Sequence, residues 1–159
     1  MTIVFRSLSA QLSKELPAIG VNSRLCYKLS QVRRMPFETE PVDDPLYYEF
    51  VNAGSKAVPC LVTELTDTRR MHDPRTEPVV QNFRVGDLAF FLLSIITGAD
   101  YSQVVPNSVL KDDATKGIYS YFDFVKNPAN RRLIQARWCA WIAKNVPSET
   151  VGVCLPEHR

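Results

Sequence analysis

The feature that most constrains this chain is its apolar spacing. Hydrophobic side chains recur every three to four positions, and strict alternation is scarce. The strongest case is VGDLAFFLLSIIT, Val85 to Thr97, which is apolar nearly all round and ends at Gly98. A helix of that kind is buried on every side, so it predicts the centre of a helical core. The remaining helices must then wrap it with one apolar stripe each.

Prolines and glycines cut the chain into those stripes. A first weak segment, Ser7 to Leu16, stops at Pro17. A second runs from Asn22, with Asn22 and Ser23 as caps, to Arg34. Its face is Leu25, Tyr27, Leu29 and Val32, and Met35-Pro36 ends it. Asp44 precedes Pro45, a cap followed by a proline at the first helical position, and opens a helix carrying Leu46, Tyr47, Phe50 and Val51. Gly54 ends it, and Ser55 is expected to cap the next, Lys56 to Leu65, with Val58, Leu61, Val62 and Leu65 inward. Beyond the central helix come a turn capped by Asp100 and stopped by Pro106, a helix from Asp113 to Lys126, and a last helix from Ala129 to Asn145. The last carries Leu133, Ile134, Trp138, Trp141 and Ile142, with Arg131, Arg132 and Arg137 largely off its stripe. The expectation is an all-α, irregular bundle of about six to eight short helices in one domain spanning the chain, with 1–20 and 146–159 loosely ordered.

With 159 residues and 45% hydrophobic content, a core needs no staples. The cysteines, Cys26, Cys60, Cys139 and Cys154, show no CxxC spacing and no zinc pattern. The favoured reading is buried thiols in a reducing, cytoplasmic setting. The alternative is one disulfide in an oxidising compartment such as the periplasm, with Cys26 or Cys154 tying a terminus down. The N-terminus lacks a signal-type apolar region, and the longest apolar run is far too short to span a bilayer.

The stretch NAGSKAVPCLVTEL resembles the hairpin of HEAT-like helical repeats, through Gly54, Ala57, Val58, Pro59, Leu61 and Leu65. A second phrase, with Val85, Gly86, Asp87, Ala89 and Leu92, is similar in style, and Trp138 with Trp141 sits in a final helix as in small bacterial proteins of this kind. The resemblance implies helical hairpins. In general style it extends to bacterial immunity proteins, which neutralise a toxin by binding it.

Signatures of catalysis are absent from the sequence: no GxSxG, no GxGxxG, no P-loop, no HExxH. The expectation is therefore a non-enzymatic protein-binding protein, without cofactor or metal, whose partner is a toxin or other effector. A formal net charge of +2 and the lack of interleaved aromatic and basic residues argue against nucleic acid. The expected contact surface joins the acidic segment Glu38, Glu40, Asp43 and Asp44 to the long polar loop Thr66–Arg84, which carries Asp67, Arg69, Arg70, His72, Asp73 and Arg75. Asp87 reads as an early-turn acid or an anchor for that loop. Two alternatives are kept: a metal-assisted hydrolase or nuclease using Asp67, His72 and Asp73, and a scaffold subunit that forms homo-oligomers through exposed aromatics.

Overall fold

A computed structural model describes residues 22–36, 41–76, 79–146 and Cys154. The expected first segment, Ser7 to Leu16, lies outside the described residues. Among them the chain is all-α: α1 (Asn22–Cys26), α2 (Pro45–Ala53), α3 (Val58–Glu64), α4 (Val85–Thr97), α5 (Tyr101–Val104), α6 (Asn107–Lys116), α7 (Tyr119–Val125) and α8 (Pro128–Asn145). Short 3-10 turns occupy Leu29–Gln31 and Gly54–Ala57.

α4 is the buried centre, as its composition predicts. Val85 through Phe90, Leu92 and Leu93 are all buried, and Gly98 closes it in the left-handed conformation at φ 69°. Helices α2 and α3 pack on α4, and α8 packs across α3, α5 and α7. Phe90 is the aromatic hub, with its ring centroid 4.5 Å from Tyr121, 5.9 Å from Trp138 and 6.0 Å from Tyr101.

Three boundaries differ from the sequence expectation. The Asn22–Arg34 helix breaks after Cys26 into a 3-10 turn. Beyond that turn, Asp44 Oδ2 accepts the N–H groups of Arg33 and Arg34, at 2.7 and 2.9 Å, so these amides are satisfied outside any helix. Tyr27, assigned to the apolar face, is 80% exposed, whereas Leu25, Leu29 and Val32 are buried. The helix expected from Asp113 to Lys126 is two helices, the first starting earlier, at Asn107, and the pair split where Gly117 adopts φ 56°. Ser55 provides no side-chain cap; α3 instead follows a 3-10 turn through Ala57.

The cysteines form two disulfides, Cys26–Cys60 and Cys139–Cys154, and none of the four is free. This corrects the expectation of reduced thiols. The first bond ties α1 to α3, and the second ties Cys154 back to α8. The partners are 34 and 15 residues apart in sequence, so no local motif announced them. No helix among the described residues is long and apolar enough to cross a membrane.

Candidate functional site: an anchored loop and a cationic cleft

The long polar segment between α3 and α4 closes on itself. Arg70 and Arg84 form an antiparallel bridge. Met71 N–H donates to the Phe83 carbonyl at 3.1 Å, and Val85 N–H donates to the Arg69 carbonyl at 3.0 Å. Ends that meet in this way define an Ω-type loop, packed by its own side chains.

The loop is pinned from inside by Asp73, whose side chain is 1% exposed. Its Oδ1 accepts from the Arg75 backbone N–H at 3.1 Å and from Arg75 Nε at 2.9 Å. Its Oδ2 accepts from Arg75 Nη2 at 2.7 Å and from Val80 N–H at 2.8 Å. The Arg75 guanidinium in turn lies over Phe83, Phe91 and Phe122, 5.2, 4.7 and 4.7 Å from their centroids. A desolvated cation on aromatic faces is worth about 2 kcal/mol. Met35 N–H donates to the Pro74 carbonyl at 2.8 Å and ties the loop to the segment after α1.

The expected contact residues therefore divide. Asp73 and Arg75 face inward and hold the loop. Asp44 is also buried: its Oδ1 caps α2 by accepting from Leu46 and Tyr47 N–H groups at 3.0 and 3.1 Å. Burial acts to raise its pKa, yet the four backbone donors outweigh that and hold it below the ordinary carboxylate value. Asp67 is half-buried and engaged by Arg69, through Nε at 2.8 Å and Nη2 at 2.5 Å. Burial raises its pKa too, and the Arg69 hydrogen bonds bring it below the usual value. Asp43, Arg69, Arg70 and His72 are exposed. Glu38 and Glu40 lie outside the described residues. The structure does not gather Asp67, His72 and Asp73 around an ion: each carboxylate is occupied by an arginine and backbone amides. Among the described residues no cluster of His, Cys, Asp or Glu is disposed to hold a metal.

Behind the loop lies a cleft of about 570 Å³ between its two limbs and the α7–α8 corner. Arg70, Arg84, Lys126 and Arg131 line it, with Asp87 and Asp123, and Tyr119, Val80, Val125 and Pro128 contribute its apolar wall. The floor is an ion pair. Arg131 Nη1 is 2.9 Å from Asp87 Oδ1, with side-chain exposures of 5% and 1%. Asp87 Oδ2 also accepts Arg84 N–H at 2.8 Å, and Tyr121 OH donates to Oδ1 at 3.5 Å. Burial pushes the Asp87 carboxyl above its ordinary range, against the opposing pull of Arg131. Asp87 does anchor the loop, through Arg84. Arg131, assigned to the outer face of the last helix, is instead buried, while Leu133, assigned inward, is 45% exposed.

Sequence reasoning did not select Arg84, Arg131, Lys126, Tyr119 or Asp123. For Arg131 a signal existed. Positions 131, 134, 138 and 142 are all buried and spaced by three or four, so Arg131 extends the inward stripe. An arginine in a buried register requires a counter-charge, and Asp87 is the one acid in the apolar α4.

No family model matches this chain, and no curated protein or solved structure is significantly similar to it.

Proposed function

We propose that this chain is a non-enzymatic binding protein that presents the outer face of the Ω-loop to a protein partner. The observation that supports this reading is the anchoring of the loop from within. Its inward residues, Asp73 and Arg75, spend their polar atoms on the loop itself, while Arg69, Arg70, His72 and Val79 stay outside. A loop already held in one shape loses little conformational entropy on binding, which is what a rigid contact surface needs. Toxin neutralisation, implied by the resemblance to immunity proteins, is the particular form of this reading, with the loop occluding the toxin's functional surface. The two disulfides support an oxidising compartment rather than the cytoplasm.

Site-specific photo-crosslinking tests the reading. A benzophenone side chain replacing exposed Val79 should yield one discrete adduct in the native host. The same group replacing Tyr27, exposed on another element, should not. Equal labelling from both positions, or none from Val79, would overturn the assignment. If the captured partner is a toxin, a stoichiometric amount of this protein should abolish its activity, and the charge reversals Arg69→Glu and Arg70→Glu should weaken that effect.

A further inference from the structure

We propose that the cleft between the Ω-loop and the α7–α8 corner is a binding site for a phosphate monoester attached to a small apolar or aromatic body. This stands independently of the protein-partner reading.

The bridge between Arg70 and Arg84 is the starting point. Residues directly opposite in an antiparallel pair project to the same side, about 5 Å apart at Cβ, and like charges there repel. Both residues line the same cleft. Arg84 directs Nη1 to the Thr68 carbonyl at 3.2 Å, and Arg70 makes no ion pair among the described residues. Two arginines rooted opposite one another and lining one cleft match a ligand with several oxyanion oxygens, each able to take a two-pronged donor.

The charge balance sets the valence. Arg70, Arg84, Lys126 and Arg131 exceed Asp87 and Asp123 by two positive charges. Asp123 is already engaged by Lys126, at 2.6 Å, and by Lys116, at 3.8 Å. Asp87 is turned to Arg131 and Arg84 at the floor. The surplus therefore falls on the bridge arginines, and a dianion neutralises it. A phosphate monoester carries close to two negative charges near neutral pH and three terminal oxygens, enough for both forks. The volume suits a small ligand rather than a lone ion. Tyr119, 49% exposed, stands at the wall with Val80, Val125 and Pro128 to receive an apolar body.

Phenyl phosphate, inorganic phosphate and phthalate are the probes, titrated into the disulfide-bonded protein in about 0.15 M salt, where loose surface attraction is screened. Binding is read by calorimetry and by amide NMR shifts. Phenyl phosphate should bind saturably at one site, with shifts centred on residues 68–70, 82–84 and 119–126. Inorganic phosphate should bind more weakly there. Arg70→Gln and Arg84→Gln should each lower phenyl phosphate affinity about tenfold or more, the usual effect of losing a charged hydrogen bond. Tyr119→Ala should reduce phenyl phosphate to the level of inorganic phosphate while leaving the latter unchanged. Circular dichroism verifies that each variant is folded, and Arg70 and Tyr119 are exposed enough for substitution to leave the core intact. Absence of saturable phenyl phosphate binding, shifts scattered over the surface, or affinity indifferent to Arg70 and Arg84 would overturn the site. Phthalate binding as tightly as phenyl phosphate would overturn the choice of phosphate.

Discussion

Replacing either member of the Asp87–Arg131 pair is expected to have an effect whose pH dependence identifies which charge remains. The two groups are 2.9 Å apart. At an effective dielectric of about 20 their gross attraction is about 6 kcal/mol, and burial offsets part of it. Asp87→Asn keeps an oxygen for Arg84 N–H but leaves Arg131 buried without a counter-charge. Arginine cannot shed its proton in a protein, so the cost, about 3–5 kcal/mol, persists at any working pH.

Arg131→Met behaves differently because the orphaned carboxyl can take up a proton. Its folded pKa then rises further above the ordinary carboxylate value. An acid with a raised folded pKa penalises the fold above its unfolded value, and the penalty disappears as pH falls towards that value. The ionisation cost is therefore capped at about 4 kcal/mol at pH 7 and about 2 kcal/mol at pH 5, at about 1.4 kcal/mol per pH unit. Guanidinium unfolding, followed by fluorescence of the buried Trp138, measures both variants against wild type at the two pH values. The Arg131→Met deficit should narrow on acidification and the Asp87→Asn deficit should not. Parallel deficits, or an Asp87→Asn loss below about 1 kcal/mol, would refute the reasoning. The pair replacement Asp87→Leu with Arg131→Met should be milder than either single change, since no charge is then left unmatched.

Three further outcomes are expected. Asp44→Ala orphans four backbone N–H groups at once, so it should cost about 2–3 kcal/mol in urea unfolding. Because the folded pKa of Asp44 is depressed, its contribution is present above the reference value of 3.8 and is lost as pH falls through the folded pKa. Gly86→Ala places a Cβ 2.5 Å from the Leu65 carbonyl oxygen and 2.9 Å from that of Asp67, backbone atoms that cannot step aside, so thermal unfolding should show a loss of about 1–3 kcal/mol or more. Mass spectrometry under non-reducing conditions should find no free thiol; opening Cys26–Cys60 and Cys139–Cys154 singly should cost about 4 and about 3 kcal/mol from the chain lengths they enclose, with native-state strain able to reduce either value.

The helical core was largely legible because it depends on local rules. Apolar spacing, the Asp44-Pro45 start and the Gly54 and Gly98 stops are written within a few residues of where they act. What was not legible depends on partners distant in sequence. Asp44 reaches back to residues 33 and 34 and takes up N–H groups that a helix running to Arg34 would have paired internally. The disulfides join cysteines from separate elements. The loop Thr66–Arg84 looked like a uniformly polar surface, yet Asp73 is its anchor, because a carboxylate surrounded by a guanidinium and two backbone amides is stable when buried.

That distinction also bears on where function resides. A charged residue in a sequence carries no mark of whether its partners come from inside or outside the molecule. Here Asp44, Asp73, Arg75, Asp87 and Arg131 form close internal partnerships that shape the fold. The fold then brings Arg70 and Arg84 together across a backbone bridge, with no acid matched to Arg70 among the described residues. Holding two like charges opposite one another is unfavourable on its own, and the loop's other interactions must sustain it. Such an arrangement has a physical rationale if a ligand or partner supplies the missing negative charge. The Arg70→Gln variant separates the two cases: if the arginines only repel, it should stabilise the free protein and leave phenyl phosphate binding unchanged, whereas for a binding site any gain in stability must come with lost affinity.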